Sequence, residues 1–500
     1  MIVVSLLVPI SARNVVSYLS LTLLVTCIFL GISGLVGLLY GAAIGSIKEL
    51  YSGSVLFLEG TLSAMLLYLI YIFTRIERPI TVLEAFLIVV LTWLISPFIA
   101  AVPFAVISGL PFLDAMFEAV SGLTGTGLTV MSHVIELQPV SIKLLRGFLQ
   151  WYGEMGIAVA AIAIFSRPGT VTAPLYLAEG RGGRIEVTVK GTARTILRIY
   201  LVYTLLCTLA LLLTGMTPLD AFVHSMTAVA TGGFSNWHDS LKHYADLLGP
   251  RFLPMEVAVV LFMILGAISF IDHAKLFRGD VRGFFSIETN TLLILLALSS
   301  LSTVVTYMLV DGVSTPKAIE LGIFHAVSAL TTTGFQIEDL CKVSDATKVI
   351  LAFSMIIGGC TCSTVGGIKV YRLIVLLKYL QWLLKSTLYP SHILIKRIVG
   401  GRTLTDDVVA RVTSFTSLYL FTLLISSSIL TALGYRFVDS FFEVASAMGC
   451  VGLSVGITSP QLHPLGKVIL MVDMLLGKLE FYPFLVATYA MIGKLKTRIS

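Results

Sequence analysis

Long apolar runs alternate with short polar segments along the whole chain. Runs such as Leu201–Leu213, Val257–Phe270 and Leu292–Val310 contain no charged residue. Several apolar blocks reach the roughly 20 residues that a helix needs to cross a lipid bilayer. Because the runs are continuous and do not alternate with polar residues, they indicate helices and not the strands of a membrane barrel. The pattern therefore predicts an all-α polytopic membrane protein.

The predicted helices form a leading pair, at about Val15–Ile44 and Val55–Phe73, followed by four similar units. Each unit has an outer and an inner helix, which makes ten predicted spans. The outer helices are predicted at Thr81–Ile107, Thr195–Thr214, Thr291–Val310 and Ser414–Leu433, and the inner helices at Lys143–Phe165, Met255–Phe270, Lys348–Leu377 and Val468–Met491. The corresponding segments are the leading pair at 1–78 and pore units at 79–180, 181–284, 285–400 and 401–500.

A short glycine motif occurs four times, once between the outer and inner helices of each unit. Each copy begins with a hydroxyl-bearing residue, has a glycine six residues later, and continues with a bulky apolar residue. The copies are Ser121–Leu128, Thr227–Phe234, Ser328–Phe335 and Ser446–Leu453. A half-length helix is predicted before each copy, and three of these helices carry proline near the first turn. Four such pore helices predict pseudo-symmetric units around one axis, where an ion would pass.

The composition and the charge distribution agree with a membrane protein. The chain is 57% hydrophobic and 12% charged, whereas a soluble protein has about a quarter charged residues. Its net charge is +6, and the basic residues concentrate at both termini and at 75–78, 167–198, 275–282 and 369–411. The positive-inside rule predicts that these segments are cytosolic and that the glycine motifs lie on the outer side. The basic loops therefore do not indicate nucleic-acid binding, and contacts with membrane lipid or an acidic partner stay open.

Further motifs surround the glycine repeats, at Leu149–Ile157, Phe270–His273, Arg278–Asp280, Gly358–Arg372 and Leu476–Glu480. Together with the repeats they resemble the membrane subunit of the Trk/Ktr/HKT potassium-transporter superfamily, most closely the Trk branch because of the leading helix pair. The resemblance implies potassium uptake across the cell (cytoplasmic) membrane, with K+ as the transported ion and no bound cofactor. It also implies a homodimer and a separate cytosolic nucleotide-binding regulatory subunit. The basic segments 181–198 and 385–402 are the candidate docking surfaces.

The resemblance places the selectivity filter on the four glycine motifs, with Gly127, Gly233, Gly334 and Gly452 as the selectivity glycines. Neutral backbone carbonyls replace the water of an ion without holding it too tightly, and glycine permits the angles that turn successive carbonyls towards one axis. The predicted ion-binding residues are Thr124, Gly125, Thr126, Gly127, Ala230, Thr231, Gly232, Gly233, Thr331, Thr332, Thr333, Gly334, Gly449, Cys450, Val451 and Gly452. Glycine at all four selectivity positions resembles the potassium-selective pattern. A sodium-permeable or poorly selective transporter of the same family is the alternative.

A glycine-rich stretch interrupts the predicted third inner helix. The resemblance makes it an intramembrane gate loop below the filter, and a static kink is the alternative. The predicted gate residues are Gly358, Gly359, Cys360, Ser363, Gly366, Gly367 and Lys478. Lys478 stands where the family has arginine; it would face the pathway, or snorkel, or pair with Glu480 or Asp473. Glu154, Cys362 and Val365 also depart from the family pattern, because they stand where the family commonly has glycine or another small residue.

One position recurs in the four pore helices, three residues before the hydroxyl: Glu118, His224, His325 and Glu443. We expect these side chains to brace the filter from behind by hydrogen bonds. Asp114, Asp220 and Asp439 are expected mainly to cap the pore helices. No nucleophile–base pair or metal triad has usable spacing, so a membrane-embedded enzyme is not predicted. Coupling to H+ or Na+, as in a symporter, and channel-like flux both stay open.

Overall fold

The leading helix pair is the first feature of the computed structural model, which describes residues 10–75, 80–165, 175, 185–186, 188–388 and 397–489. The helices Ala12–Ile44 and Ile47–Thr74 are each capped by a serine side chain, Ser11 and Ser46. Their glycines permit close packing: a Cβ atom built on Gly60 would lie 2.5 Å from the Gly31 nitrogen. Small residues at such an interface are typical of membrane helix pairs.

Four units with the same element order follow the leading pair. The outer helices are Val82–Val106, Val189–Thr214, Ile287–Leu309 and Asp406–Ala432. The pore helices are Phe112–Thr124, Pro218–Val229, Thr315–Leu330 and Phe437–Gly449. The second and fourth outer helices begin several residues before their predicted starts, because polar turns extend them beyond the apolar runs. The C-terminal halves of the pore helices are buried, whereas the outer helices expose large apolar side chains.

The inner helix is interrupted in every unit, although the sequence predicted an interruption only in the third. The two parts are Val140–Met155 with Ile157–Phe165, Phe252–Ala267 with Phe270–Phe277, Asp345–Ile357 with Val370–Leu388, and Pro464–Leu479 with residues 481–489. In unit 1 the two parts are bent by 85°, at Gly156, whose φ is 91°. In unit 4 the break falls at Glu480, whose φ is 62°. The predictions of continuous first and fourth inner helices were wrong, whereas the second helix runs unbroken to Ala267, close to its predicted end at Phe270.

These interruptions also change the number of helices that are long enough to span a bilayer. Among the described residues, 7 helices are long and apolar enough, or 8 if the bent pair of unit 1 counts as one span. The inner helices of units 3 and 4 account for the difference from ten, because each is divided into shorter pieces. The chain is an all-α polytopic membrane protein.

Short elements connect these helices. They are the 3-10 turns Ile135–Leu137, Ser240–His243, Gly249–Arg251 and Leu340–Lys342, the short helices Tyr244–Leu248 and Val281–Phe284, and one antiparallel pair of two-residue strands, Ile398–Val399 with Arg402–Thr403. Much of the predicted basic loops 167–198 and 385–402, and both predicted cytosolic termini, lie outside the described residues.

Candidate ion pathway

The four glycine motifs meet in a closed ring, as the repeat predicts. In each unit, a Cβ atom built on the last glycine of the motif would collide with a backbone carbonyl oxygen of the next unit. The distances are 2.3 Å from Gly127 to Gly232, 2.0 Å from Gly233 to Thr333, 1.9 Å from Gly334 to Val451 and 2.4 Å from Gly452 to Thr126. The contacts run from unit 1 to 2, 3, 4 and back to 1. We call these four glycines and the carbonyls that they contact the glycine ring.

The backbone of the ring repeats the same unusual angles in each unit. The four ring glycines have φ values of 81°, 71°, 88° and 101°, a region that side-chain-bearing residues rarely adopt. The residue two positions earlier also has a positive φ in every unit. It is Gly125 in unit 1, but a residue with a side chain in the other three units: Thr231, Thr332 and Cys450. This left-handed residue ends the pore helix. Threonine and cysteine do not predict a left-handed backbone, so this feature could not be expected from the residue types.

Hydrogen bonds hold each ring segment to its own pore helix. In every unit the amide before the ring glycine donates to the carbonyl of the hydroxyl-bearing residue that starts the motif. The four bonds are Thr126 to Ser121 (2.9 Å), Gly232 to Thr227 (2.8 Å), Thr333 to Ser328 (2.9 Å) and Val451 to Ser446 (2.9 Å). Ion binding by the predicted filter residues stays a prediction.

The four recurring pore-helix side chains brace the segment just beyond the ring, which confirms the expected hydrogen bonding. Glu118 accepts from Thr129 Oγ1 at 2.7 Å, and Glu443 accepts from the Val455 amide at 3.2 Å. The other two braces are imidazoles, with His224 Nε2 2.9 Å from Ser235 Oγ and His325 Nε2 accepting from the Ile337 amide at 3.4 Å. Each brace therefore links a pore helix to the residues two or three positions after its ring glycine.

The first inner helix supplies two polar side chains behind the ring that sequence reasoning missed. Arg146 is 2% exposed; it forms an ion pair with Glu118 at 2.9 Å and donates to the Ser235 carbonyl at 2.6 Å. Gln150 donates to the Gly232 carbonyl at 2.5 Å and accepts from the Phe234 amide at 2.9 Å. The sequence feature that could have identified them is their polarity, because both lie within a predicted membrane span. One ring carbonyl, that of Gly232, thus already accepts a side-chain hydrogen bond.

The first-turn aspartates join neighbouring units in two places. Asp114 pairs with Lys467 of the fourth inner helix at 2.5 Å, and Asp439 pairs with Lys348 of the third at 2.7 Å. Neither aspartate makes a side-chain cap hydrogen bond at the start of its helix. The expected capping role was wrong for both residues, because the nearby lysines of another unit engage their carboxylates.

A cavity of about 540 Å³ opens above the ring and is lined by all four ring glycines. At its rim Lys242 Nζ lies 2.5 Å from Glu338 Oε1. Partial burial raises the pKa of Glu338, but hydrogen bonds from Lys242 and the Asp339 amide lower it more, so the pKa lies below its ordinary value. The carboxylate is therefore ionised at neutral pH, beside a lysine that offsets its charge.

The predicted gate loop lies directly beneath three quarters of the ring. Under unit 2, Thr364 Oγ1 is 2.9 Å from Thr231 Oγ1. Under unit 3, the Gly366 amide donates to Thr332 Oγ1 at 3.2 Å. Under unit 4, a Cβ atom built on Gly366 would lie 2.2 Å from the Gly449 carbonyl oxygen. The loop therefore contacts units 2, 3 and 4 at or near the left-handed residues.

The loop is also anchored at its two ends. Near its start, the Cys360 amide donates to the Ala267 carbonyl at 3.0 Å, where the second inner helix is interrupted. Ser363 Oγ donates back to the Cys360 carbonyl at 2.5 Å. Its two ends also lie against each other, since a Cβ atom on Gly358 would lie 2.3 Å from the Gly366 carbonyl oxygen. Cys362, which departs from the family pattern, has a φ of 59°, a position where glycine would be unstrained.

Lys478 lies in the same region and forms an ion pair with Glu154 of the first inner helix. Both side chains border a cavity of about 40 Å³ together with residues of the gate loop. The two partners considered from the sequence are engaged elsewhere: Asp473 accepts from Ser426 at 2.9 Å, and Glu480 accepts from Arg372 at 2.5 Å. The structure thus brings together two of the residues that depart from the family pattern.

Comparison with known proteins agrees with this architecture. A family model described as a cation transport protein, TrkH, matches residues 56–279 and 284–495. An uncharacterized cation transporter of Methanocaldococcus jannaschii is 33% identical over 399 residues, which cover 79% of this chain and 80% of the relative. The Trk system potassium uptake protein TrkH of Salmonella typhimurium is 32% identical over 423 residues, covering 81% and 84%.

A solved structure is similar over nearly the whole chain. The crystal structure of the potassium transporter TrkH from Vibrio parahaemolyticus superposes with a TM-score of 0.81 at 29% sequence identity, covering 95% of this chain and 98% of that one. The family and these relatives are transporters and not enzymes. The chain belongs to the TrkH family of cation transport proteins.

Proposed function

We propose that this protein takes up potassium across the cell membrane through the glycine ring. The observation that carries the proposal is the closed sequence of contacts among Gly127, Gly233, Gly334 and Gly452, each packed against a carbonyl of the next unit. The names of the Salmonella and Vibrio relatives, which are potassium transporters, support potassium as the ion. A dehydrated cation would exchange its water for the ring carbonyls.

The gate loop 358–367 and Lys478 would control passage below the ring. The contacts of Thr364 and Gly366 with three ring segments support a closed position in which the loop blocks the pathway. The membrane potential, worth about 2.3 kcal/mol per charge per 100 mV, would drive uptake when the loop moves.

The proposal extends to orientation and assembly. The ring would face outward, with both termini in the cytosol, because the basic segments predict that side to be inside. Resemblance to the family further supports a homodimer and a cytosolic nucleotide-binding regulatory subunit.

Rubidium uptake by lipid vesicles that contain the purified protein tests the proposal. The wild type should accumulate rubidium down an imposed negative potential, and sodium at equal concentration should not block it. Gly127→Ser should lose this discrimination, because its Cβ would lie 2.3 Å from the Gly232 carbonyl oxygen. Uptake that is equal to that of empty vesicles would refute transport, and full block by equimolar sodium would favour the poorly selective alternative.

A further inference from the structure

Unit 1 differs from the other three units directly below the glycine ring. The left-handed residue before the ring glycine carries a side chain in units 2, 3 and 4, namely Thr231, Thr332 and Cys450. In unit 1 this residue is Gly125, and Glu154 Oε1 lies only 1.8 Å from the place where its Cβ would stand. The Glu154 carboxylate therefore fills the space that a filter side chain fills in the other units.

The Glu154 side chain also borders the small cavity beneath the ring. The cavity measures about 40 Å³, which is enough for a few water molecules or a partly dehydrated ion. Trp93 lines it, is 1% exposed, and its indole N–H has no hydrogen-bond partner among the described residues. Because buried donors are normally bonded to something, this one indicates a polar occupant such as water.

Lys478 already brings a positive charge to this carboxylate. Its ammonium group forms the ion pair with Glu154 Oε2 and lies 6.0 Å from the centre of the Trp93 ring. An ammonium is a compact point charge on a flexible stem, so it resembles a monovalent cation that is tethered to the protein. The side chain of Lys478 is 10% exposed and that of Glu154 is 1% exposed.

We propose that Glu154 is a cation-binding residue directly below the glycine ring, and that Lys478 occupies it when no transported ion is present. This inference rests on the proposed function and adds to it a side-chain site outside the carbonyl filter. A monovalent cation that leaves the ring displaces the ammonium from Glu154, and the ammonium returns when the cation moves on. The Glu154 carboxylate has a positive partner in both states, since one positive charge replaces another beside it.

Four proteins test the exchange: the wild type, Glu154→Gln, Lys478→Gln and the double variant. Rubidium uptake by vesicles is measured against rubidium concentration. In Glu154→Gln the unpaired ammonium repels cations, so uptake should fall at least about tenfold. In Lys478→Gln the carboxylate has no internal competitor, so the rubidium concentration for half-maximal uptake should fall by about threefold or more.

The double variant separates charge exchange from a structural role. With neither charge present, uptake should recover to within about threefold of the wild type, and the lowered half-maximal concentration of Lys478→Gln should disappear. A double variant that is as slow as Glu154→Gln, or that keeps the half-maximal concentration of Lys478→Gln, would overturn the proposal.

Thermal unfolding of the detergent-purified proteins gives an answer that does not require transport. Rubidium should stabilise Lys478→Gln more than the double variant, because only the former has a free carboxylate below the ring. Equal rubidium dependence in these two variants would overturn the site. If the wild type takes up no rubidium, the proposed function fails, while this comparison still decides whether Glu154 binds a cation.

Discussion

The upper side of the glycine ring has the same structure in all four units, whereas the lower side does not. Above and within the ring, the four units repeat the same backbone angles, the same amide-to-carbonyl bond and the same pore-helix brace. Below it, one loop from unit 3 contacts units 2, 3 and 4, and Glu154 of the first inner helix lies under unit 1. A cation coordinated on an axis requires equivalent oxygens on all sides. The proposed gate would require only one segment, so the repeat need not be kept on that side.

The largest effect is expected from a substitution in the glycine ring itself, where the four units are alike. Gly334→Ala should reduce rubidium uptake by at least about a hundredfold, because the new Cβ would lie 1.9 Å from the Val451 carbonyl oxygen and overpacking displaces the backbone. Vesicle uptake measures the loss.

Gly312→Ala is the matched control in the same unit. Its φ is also positive, at 67°, but nothing lies within 4 Å of the added Cβ. This variant carries only the conformational cost of a left-handed alanine, about 1–2 kcal/mol, and should keep its uptake. Equal loss in both variants would mean that backbone strain, and not the contact between units, explains the effect.

A second variant tests whether the charged brace of unit 1 is structural. Arg146→Met should lower the free energy of unfolding by about 3–5 kcal/mol, because it leaves the Glu118 carboxylate buried without its ionic partner. Thermal unfolding in detergent measures the change. The control is Arg436→Met, whose ion pair with Asp345 is largely exposed and should contribute about 0–1 kcal/mol. Similar stability of both variants would contradict the bracing role.

The smallest effect on uptake is expected from a substitution in the loop below the ring. Thr364→Val removes hydrogen bonds of 2.9 Å to Thr231 Oγ1 and to the Gly266 carbonyl oxygen. A net cost of about 0.5 kcal/mol per bond, or about 1 kcal/mol for both, should shift the loop towards its open position and raise rubidium uptake about two- to fivefold.

Thr387→Val provides the comparison for this effect, because within the described residues its hydroxyl bonds to the Leu383 carbonyl of its own helix. It should leave uptake unchanged. If Thr364→Val also left uptake unchanged, the contact beneath unit 2 would not restrain the gate.

Local patterns predicted the elements of the pathway well. The pore helices and the meeting of the four glycine motifs could be predicted because each copy carries the same hydroxyl, glycine and apolar residues. The interruptions of the first and fourth inner helices could not, since Glu480 has no sequence feature that announces its left-handed backbone. Arg146 was missed because its partner Glu118 lies on another helix, and the pairing becomes visible only when the two helices pack.

By itself, the amino-acid sequence determined the apolar spans, the four units and the glycines that permit a ring, because these depend on local hydrophobicity and backbone freedom. The tertiary structure decided which buried charges meet. Lys478 pairs with Glu154, and not with Glu480 or Asp473, because the packing of the inner helices brings the two side chains into one cavity. A buried charge is stable only beside an opposite charge, and the packing of the helices determines which residue lies close enough. Separation along the chain does not determine that partner.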